Sequence, residues 1–123
     1  MGHPLAYFEF SSKEPARLQK FYVDLFGWAI NEIPDMGGYA LVDTQAGEGA
    51  VPGAIGPLQE GGSPGVRAYF YAEDLGNAVK KAEALGGSVI LEPTPIPGFG
   101  HFAVFADPDG NGIGLWDQKS IAG

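Results

Sequence analysis

Two residues of opposite charge stand inside segments that are otherwise apolar, and they are the first candidates for chemistry. Glu9 lies in the segment Leu5 to Ser11, and Arg67 lies in the segment Val66 to Tyr71. An arginine in such a place could hold an anion or a carbonyl oxygen, and a glutamate could act as a general base where burial raises its pKa. An ion pair between the two side chains is the simpler interpretation. The residue types favour the ion pair without excluding the catalytic roles.

The histidines and cysteines are the next candidates for acid, base or nucleophile chemistry. His101 follows Gly98-Phe99-Gly100 at the start of an apolar segment. It is a candidate acid or base, although a histidine in such a position more often lies in a turn or on the surface. The chain has no cysteine, which excludes a thiolate nucleophile, a disulfide and a Cys-ligated metal. His3 and His101 are the two histidines, and their positions indicate no Ser-His-Asp arrangement.

The segment 107–112, Asp-Pro-Asp-Gly-Asn-Gly, has the opening of a calcium-binding loop, with oxygen-bearing side chains at its first, third and fifth positions. The twelfth position of such a loop would be Gln118 rather than the usual glutamate. Proline and glycine also suit a tight turn before the apolar run Ile113 to Trp116. The sequence therefore favours a turn over a calcium site.

Two helices are predicted from the spacing of apolar residues. The first begins near Pro15 and ends at Gly27, because proline suits the first turn and glycine suits the C-terminal stop. The second runs from Asp74, a predicted N-cap, to Leu85 before Gly86-Gly87. The first apolar face comprises Leu18, Phe21, Tyr22, Leu25 and Phe26, and the second comprises Leu75, Ala78, Val79, Ala82 and Leu85. Since burying a large apolar side chain stabilises by roughly 1.5–3 kcal/mol, each face is predicted to lie on a sheet.

Eight strands are predicted around these helices from alternating apolar patterns bounded by turn residues. The predicted strands are Leu5 to Ser11, Trp28 to Ile33, Gly38 to Asp43, Ala50 to Gly56, Val66 to Tyr71, Ser88 to Leu91, His101 to Ala106 and Gly112 to Trp116. The second and third form a hairpin around residues 34–37. The fourth contains Pro52 and Gly53, which predicts an edge strand or a bulge.

The chain resembles itself at an offset of 60 residues. Phe8 to Glu32 aligns without a gap on Ala68 to Glu92, and Phe10 with Phe70 is one of the coincident pairs. Each copy has the predicted order β-α-β-β-β. We therefore predict one domain over 1–123, with a first module at about 5–57, a linker at about 58–65 and a second module at about 66–117.

Composition limits the classes of function. Hydrophobic residues make up 45% of the 123 residues, which predicts a folded core. The formal net charge of −8 argues against nucleic-acid binding, which needs a basic face. No apolar run approaches the ~20 residues that span a bilayer, so no membrane association is predicted. The residues Met1-Gly2-His3-Pro4 lack the features of a secretory signal, and we predict a cytoplasmic protein.

Two phrases resemble a known family. They are Phe-Tyr-Val-Asp-Leu-Phe-Gly-Trp at 21–28 and Asp-Pro-Asp-Gly-Asn-Gly-Ile-Gly-Leu-Trp at 107–116, at opposite ends of the doubled pattern. Together they resemble the vicinal oxygen chelate superfamily, which includes glyoxalase I, extradiol dioxygenases and bleomycin-resistance proteins, and most of all its uncharacterised glyoxalase-like branch. The resemblance implies an α+β fold in which two tandem βαβββ modules form a curved mixed sheet around a cup, with helices outside. It also implies a homodimer.

The resemblance further implies a place for a metal, because enzymes of this family bind a divalent ion through strands one, four, five and eight. Carried over residue by residue, these positions correspond to Tyr7, Gly53, Arg67 and Gly114. None is a usual divalent-metal ligand, and Arg67 would repel a cation. We therefore predict no metal at the usual site and no cofactor. A metal held by other residues, such as His101, Glu9 and Glu92, stays an alternative.

Strand alternation extends these positions to a predicted ligand-binding set. The set is Tyr7, Glu9, Arg67, Tyr69, Tyr71, Gly114 and Trp116, with His101 near the mouth of the cup. The alternate residues, predicted to face the helices, are Phe8, Phe10, Ala68, Phe70, Ile113 and Leu115, which are uniformly apolar and support the register. Aromatic rings with two opposite charges suit a small planar or carbonyl-bearing ligand. Glu9 and Arg67 are the candidate catalytic residues.

Three hypotheses follow from these observations. The first is a small-molecule-binding protein of the glyoxalase/bleomycin-resistance type without the usual metal site. The second is a glyoxalase-like lyase, isomerase or dioxygenase that acts on a small carbonyl or aromatic substrate. The third is a non-catalytic partner of another protein.

Overall fold

The computed structural model describes residues 2–59 and 61–117. Its helices are α1 (Pro15–Phe26) and α2 (Leu75–Ala84). Its strands are β1 (Leu5–Ser12), β2 (Ala29–Glu32), β3 (Ala40–Asp43), β4 (Gly53–Pro57), β5 (Gly65–Tyr71), β6 (Ser88–Ile96), β7 (Gly100–Ala106) and β8 (Gly112–Trp116). Neither helix is long and apolar enough to cross a bilayer, as far as the described residues go.

The fold is α+β and consists of two βαβββ modules, as predicted. Packing divides the described chain into a first unit, residues 7–59 and 61–67, and a second unit, residues 2–6 and 68–117. In the first unit the strand order is β2-β3-β4-β1, and in the second it is β5-β8-β7-β6. Within each unit one pair is parallel, β1 with β4 and β5 with β8, and the other pairs are antiparallel.

Both ends of α1 follow the predicted signals. Pro15 occupies the first turn, and Gly27 adopts the left-handed conformation (φ 73°) while its N–H donates to the carbonyl of Val23. Upstream of the helix, Ser12 Oγ accepts a hydrogen bond from the backbone N–H of Glu14. The sequence therefore determines where this helix begins and ends.

The side chain that seats α1 on the first unit is polar. Gln19 is buried, and its Nε2 donates to the carbonyl oxygens of Gly38 at 2.8 Å and Ile55 at 3.0 Å. Those two bonds join the helix to the β2–β3 connection and to β4 at once. Because a buried amide is stable only when it is hydrogen-bonded, Gln19 fixes both the position and the rotation of α1.

The prediction that the whole apolar face of α1 lies on a sheet is wrong in part. Leu18 and Tyr22 are half-buried, whereas Phe21, Leu25 and Phe26 are exposed. The hydrogen bonds of Gln19 turn its side of the helix toward the sheet, so the apolar face extends beyond the surface that the sheet covers.

The second helix packs by apolar contact. Leu75 and Val79 are buried in a core with Ala72, Ala103 and Leu115. Asp74 is the N-cap, as predicted, and its side chain accepts from the N–H of Asn77 at 3.0 Å. Leu85, which the periodicity placed on the buried stripe, is exposed, because the helix ends at Ala84 and Leu85 is its C-cap.

Two strand predictions are corrected. The fourth strand is neither an edge nor a bulge, since β4 lies between β3 and β1, and Pro52 precedes it rather than interrupting it. The sixth strand is longer than predicted and continues from Ser88 to Ile96. As the edge strand of its unit, β6 accommodates Pro93 and Pro95 because an edge need not supply every N–H, and its pairing with β7 shifts register twice.

The segment 107–112 forms a turn, the interpretation that the sequence favoured. Asp107 Oδ1 accepts from the backbone N–H groups of Asp109 at 3.0 Å and Asn111 at 2.8 Å, and Oδ2 accepts from Asn111 Nδ2. The hydrogen bonds of Asn111 lower the pKa of Asp107 from its ordinary value of 3.8. Gln118, the twelfth position of the alternative calcium loop, lies outside the described residues.

Candidate functional site

Arg67 lies on β5 and is half-buried. The ion pairs of the described residues join Arg17 to Glu14, Lys20 to Asp24 and His101 to Asp117, and none involves Arg67. The ion pair with Glu9 that the residue types favoured is therefore not present within residues 2–59 and 61–117. A guanidinium that forms no ion pair with a carboxylate retains its capacity to bind an anion.

Glu9 instead accepts a hydrogen bond from a tyrosine. Tyr39 Oη donates to Glu9 Oε2 at 2.7 Å, in a half-buried environment of the first unit. The backbone of Tyr39 is held in the β2–β3 connection, where its N–H donates to Met36 and its carbonyl accepts from Ile33. The arrangement joins a carboxylate to a phenol through a hydrogen bond of ordinary length, which orients the carboxylate.

The ring of Tyr39 lies over a strand glycine. Gly56 is in register with Ser11, and a Cβ added at Gly56 would lie 2.3 Å from Tyr39 Cδ2. Tyr7, Glu9 and Ser11 alternate along β1, so they project to one face of that strand. We call this surface the Glu9 face and define it by Tyr7, Glu9 and Tyr39.

The strand-four position carried over from the family needs correction. Gly53 is in register with Phe8, and a Cβ added at Gly53 would lie 2.2 Å from the Phe8 ring. Phe8 belongs to the opposite face of β1, where its ring contacts Phe10 and Trp28. Ala54 is the residue in register with Glu9, and it replaces Gly53 as the strand-four position on the Glu9 face.

A second tyrosine lies over a second strand glycine in the other unit. Gly114 is in register with Tyr69, and a Cβ added at Gly114 would lie 2.2 Å from Tyr69 Cδ2. The Tyr69 side chain is buried at 2% exposure. Tyr69 therefore fills the space that a side chain at position 114 would need, and it presents almost no surface to a ligand.

The neighbouring positions on this face are aromatic and more accessible. Tyr71 is in register with Trp116, and Trp116 is in register with Phe102 of β7. All three are half-buried, and the indole Nε1 of Trp116 donates to the carbonyl of Phe99 at 2.6 Å. The aromatic face of the second unit is thus composed of Tyr69, Tyr71, Phe102 and Trp116. Phe102 was not among the predicted site residues.

His101 forms a pair with a buried aspartate. Its Nδ1 lies 3.0 Å from Asp117 Oδ2, and its backbone N–H donates to Asp117 Oδ1 at 2.8 Å. The side chain of Asp117 is 7% exposed, against 35% for His101. Because side chains alternate along β7, His101 projects to the same face as Ala103, which is buried against Leu75 and Val79 of α2. Phe102, which pairs with Trp116, projects to the other face. His101 therefore lies on the side of β7 opposite to the aromatic face.

The residues at the family metal positions do not fit a divalent ion. After the strand-four correction they are Tyr7, Ala54, Arg67 and Gly114, and the set contains no carboxylate or imidazole. The buried ring of Tyr69 also leaves no room for a longer side chain at position 114. Across residues 2–59 and 61–117, no group of three or more His, Cys, Asp or Glu side chains is placed to hold a metal, so the alternative set of Glu9, Glu92 and His101 is not assembled.

Tyr39 and Asp117, like Phe102, were not predicted from sequence as members of these arrangements. Tyr39 lies next to β3, a strand whose inward and outward positions the periodicity did not separate. Asp117 directly follows the last apolar strand, where an acidic residue is ordinary. Asp117 follows β8, and β8 pairs with β7, the strand that carries His101. That pairing would have indicated the contact, but strand pairing is a tertiary property and could not be read from the sequence.

Comparison with known proteins identifies the family to which these features belong. The model of the Glyoxalase/Bleomycin resistance protein/Dioxygenase superfamily matches residues 5–115. The anthracycline biosynthesis protein DauV of Streptomyces sp. strain C5 is 30% identical over 135 residues, covering 96% of this chain and 48% of the relative. The putative glyoxylase CFP32 of Mycobacterium bovis is 27% identical, covering 94% of this chain and 46% of the relative. The chain thus spans about half the length of these relatives.

Solved structures agree on the fold. A methylmalonyl-CoA epimerase from Mycobacterium tuberculosis matches with a TM-score of 0.70 at 18% identity, covering 94% of this chain and 88% of the other. A glyoxalase/bleomycin resistance protein/dioxygenase superfamily member from Vibrio splendidus matches with a TM-score of 0.64 at 18% identity, covering 96% of this chain and 100% of the other. On the family match and the doubled βαβββ fold, this chain belongs to the glyoxalase/bleomycin resistance protein/dioxygenase superfamily.

Proposed function

We propose that this chain is a small-molecule-binding protein of the glyoxalase/bleomycin-resistance type, which holds an anionic or carbonyl oxygen of its ligand through Arg67 rather than through a divalent metal. The observation that carries the proposal is the half-buried residue Arg67, which has no carboxylate partner among the described residues.

The physical basis is the cost of a partly desolvated charge. Removing an arginine side chain from water is unfavourable unless its donors are satisfied, and a ligand oxygen would satisfy them. The planar guanidinium offers parallel N–H donors that match a carboxylate or two neighbouring oxygens. Its charge does not depend on a bound ion, so it can polarise a carbonyl where the family positions lack metal ligands.

The aromatic residues and the curated relatives support a proposal for the ligand class. Tyr7 and Tyr39 on the Glu9 face can contact a flat ring, and Tyr39 already orients a carboxylate that can accept a hydroxyl proton. The relative DauV, which matches over 96% of this chain, is named for anthracycline biosynthesis. We infer a planar ligand that carries adjacent hydroxyl or carbonyl oxygens.

Direct binding measurements test this proposal. Titration with an anthracycline and with a small 2-oxo acid, followed by intrinsic fluorescence and calorimetry, is expected to give saturable binding of at least one of them. Arg67→Ala is expected to weaken that binding by about 10- to 100-fold, because a hydrogen bond to a charged group is worth about 1.5–3 kcal/mol. Arg67→Lys retains the charge without the planar fork and is expected to bind with intermediate affinity.

A matched control is available on the surface. Arg17 is exposed and paired with Glu14 at 3.0 Å, so Arg17→Ala removes the same charge from the chain without changing the proposed site. Equal affinities for the wild type, Arg67→Ala and Arg17→Ala would contradict the role of Arg67. Absence of binding to any planar or carbonyl compound would instead favour the non-catalytic protein partner.

The second candidate is a glyoxalase-like lyase, isomerase or dioxygenase that acts on a small carbonyl or aromatic substrate. It is favoured by the hydrogen bond between Tyr39 and Glu9, since a general base requires an oriented carboxylate. Under this function Glu9→Gln is expected to abolish turnover while ligand affinity changes by less than about threefold, because the amide is isosteric. Elemental analysis of protein purified without chelator checks the role of metal, and stoichiometric Ni, Zn, Fe or Mn would contradict the metal-free proposal.

Two properties of the whole protein accompany this proposal. We propose a cytoplasmic location, supported by the absence of cysteine from the sequence and checked by cell fractionation. We also propose a homodimer, supported by an exposed apolar surface on α1.

A further inference from the structure

We infer that Gln19 is a positioning residue for the Glu9 face, because its buried amide fixes the two peptide groups that lead into Tyr39 and into Gly56. The inference rests on the proposed function, since it concerns how the binding surface of that function is held in place. Gln19 lies on α1 and is 8% exposed, and it is not a member of the Glu9 face. Its influence on a ligand passes through the position of Tyr39.

The hydrogen bonds of Gln19 end on the peptide groups that precede two residues in contact with each other. Nε2 lies 2.8 Å from the carbonyl oxygen of Gly38 and 3.0 Å from that of Ile55. Each carbonyl belongs to a planar group that also contains the N–H of the next residue, so the first bond orients the peptide of Tyr39 and the second that of Gly56. A side-chain amide has two N–H donors, and this arrangement uses both.

The peptide group that leads into Tyr39 is held at both of its polar atoms. The N–H of Tyr39 donates to the carbonyl of Met36 at 3.1 Å, while the Gly38 carbonyl of the same group accepts from Gln19. Gly38 has a φ of 95°, and a Cβ at this position would lie 3.3 Å from Pro15 Cγ. Pro15 and Gln19 are one helical turn apart and lie on the same side of α1. The β2–β3 connection is therefore fixed against the helix immediately before Tyr39.

Tyr39 meets the carboxylate across the strand that Gln19 also contacts. The tyrosine ring lies over Gly56, where an added Cβ would be 2.3 Å from Cδ2, and its hydroxyl donates to Glu9 Oε2 at 2.7 Å. Glu9 is in register with Ala54, two residues before Gly56 on β4. The distance between the phenol and the carboxylate therefore depends on how the β2–β3 connection lies relative to β4, and Gln19 fixes that relation.

The second module replaces all three members of this arrangement together. At the offset of 60 residues, Gln19, Tyr39 and Glu9 correspond to Val79, Phe99 and Tyr69. Valine has no side-chain donor and phenylalanine has no hydroxyl. Phe99 is 46% exposed, whereas Tyr39 is half-buried. The buried amide thus occurs in the module that has a phenol and a carboxylate to position.

Carbon NMR of the tyrosine phenols tests the inference without a ligand. The full chain is isotopically labelled at the tyrosine Cζ atoms, whose chemical shifts report hydrogen bonding by the hydroxyl, and the signal of Tyr39 is the one that Tyr39→Phe removes. Glu9→Gln gives the position of that signal without a charged acceptor. Gln19→Met replaces the amide by an apolar side chain of similar length. It is expected to move the Tyr39 signal toward the position measured in Glu9→Gln.

The matched control is Lys20→Met, which introduces the same residue at the next, exposed position of α1. It is expected to leave the Tyr39 signal in place. A Tyr39 signal that Gln19→Met leaves at the wild-type position would overturn the inference. Gln19→Asn replaces Gln19→Met should the latter not fold, because its amide is one methylene shorter and is expected to displace the same signal. An unmoved signal in that variant overturns the inference equally.

Binding of catechol, a planar compound with two adjacent hydroxyl groups, separates this inference from the proposed function. Gln19→Met is expected to weaken catechol binding by about 3- to 10-fold when Tyr39 is present. In the Tyr39→Phe background the same substitution is expected to weaken it by less than about twofold, because the hydroxyl that the amide positions is gone. A general loosening of the fold would act equally in both backgrounds, so equal losses would contradict the positioning role.

The two proposals fail separately. Absence of catechol binding together with a displaced Tyr39 signal would count against the proposed function and leave the positioning role of Gln19 intact. Catechol binding that depends on Arg67, together with an unmoved Tyr39 signal in Gln19→Met, would support the proposed function and contradict the positioning role.

Discussion

The helices of the two modules have the same position in their modules, but α1 is held on its unit by hydrogen bonds of a buried polar side chain and α2 by apolar contacts. In α1 the buried residue is Gln19, which donates two hydrogen bonds to backbone carbonyls. Its counterpart at the offset of 60 residues is Val79, which is buried in the apolar core under α2. Outward, α1 carries Phe21 where α2 carries Lys81. The two modules thus share a scaffold, while one inner and one outer position of their helices carry residues of opposite polarity.

This contrast shows why hydrophobic periodicity does not by itself locate the buried face of a helix. Beneath α1, the carbonyl oxygens of Gly38 in the β2–β3 connection and of Ile55 in β4 need donors, and a glutamine supplies them. An amide that satisfies two buried acceptors can outweigh the burial of an aromatic side chain at the edge of the contact. The exposed aromatic residues are then available for another contact.

A second contrast concerns the tyrosines that lie over strand glycines. Tyr39 covers Gly56 in the first unit and is half-buried, whereas Tyr69 covers Gly114 in the second unit and is buried. They come from different places in their modules, one beside β3 and the other within β5. The two glycines are not equivalent at the offset of 60 residues, and in the first unit the ring over the glycine also donates to the carboxylate of Glu9.

The largest effect is expected from filling the gap under the buried tyrosine. Gly114→Ala would place a Cβ 2.2 Å from the Tyr69 ring, and the buried ring cannot move away, so we expect a loss of about 3 kcal/mol in the free energy of unfolding. Gly56→Ala is expected to cost about 1 kcal/mol, because the half-buried Tyr39 can rotate outward. Urea unfolding measures both, and equal losses would remove the distinction between the two tyrosines.

The next effect is expected from making α1 resemble α2. Gln19→Val introduces the counterpart residue and leaves the carbonyls of Gly38 and Ile55 without their side-chain donor, so we expect a loss of about 2 kcal/mol. Lys20→Val is the control for the helix propensity of valine at an exposed site, and it is expected to cost less than about 1 kcal/mol. A stability of Gln19→Val equal to that of the control would show that the amide does not seat the helix.

A smaller effect is expected from removing the phenol that meets Glu9. Tyr39→Phe retains the ring over Gly56 and deletes the hydroxyl, so we expect a loss of about 1 kcal/mol at pH 7. Tyr22→Phe is the control, because the Tyr22 hydroxyl has no hydrogen bond within the described residues while its ring is also half-buried. Equal stabilities of the two variants in chemical unfolding would contradict a stabilising bond to Glu9.

The smallest effect is expected at the connection between β7 and β8. This connection is a tight turn, whereas the corresponding connection of the first unit, between β3 and β4, is longer and comprises residues 44–52. The pKa of Asp107 is lowered in the folded chain, so its charge stabilises the fold above its ordinary pKa of 3.8, and this is lost as the pH falls through the lowered value. Asp107→Asn is therefore expected to lower Tm slightly at pH 7 and to match the wild type once the pH lies below the lowered pKa of Asp107. A Tm difference that does not change with pH would show that the charge plays no part.

Much of the fold followed from local patterns. The order of elements, the start and stop of α1 at Pro15 and Gly27, the N-cap Asp74 and the turn at Asp107 all depend on contacts within a few residues. The errors arose where a distant partner or the exact end of an element decided the outcome. Pro52 indicated an edge strand, yet the strand begins one residue later and β1 pairs with it. Leu85 fitted the helical period and lies just past the end of α2.

The candidate site shows the same division. Residue types identified Glu9, Arg67 and His101 as the groups with chemical potential, because few other ionisable side chains interrupt apolar strands. Their partners could not be predicted, since Tyr39 and Asp117 reach them across distances of 30 and 16 residues in sequence. The correction from Gly53 to Ala54 is of the same kind, because strand register is set by pairing and a shift of one residue exchanges the faces.

The sequence by itself determined the doubled βαβββ scaffold, because the apolar period, the caps and the turn residues act locally and recur at a constant offset. Only the tertiary structure decided that Arg67 has no ion pair within the described residues, that Glu9 is bound by Tyr39, and that the aromatic side of α1 is exposed. These outcomes depend on which donors and acceptors form hydrogen bonds when the strands pair. The residues involved lie far apart in the sequence, so no single segment determines the free energy of these contacts.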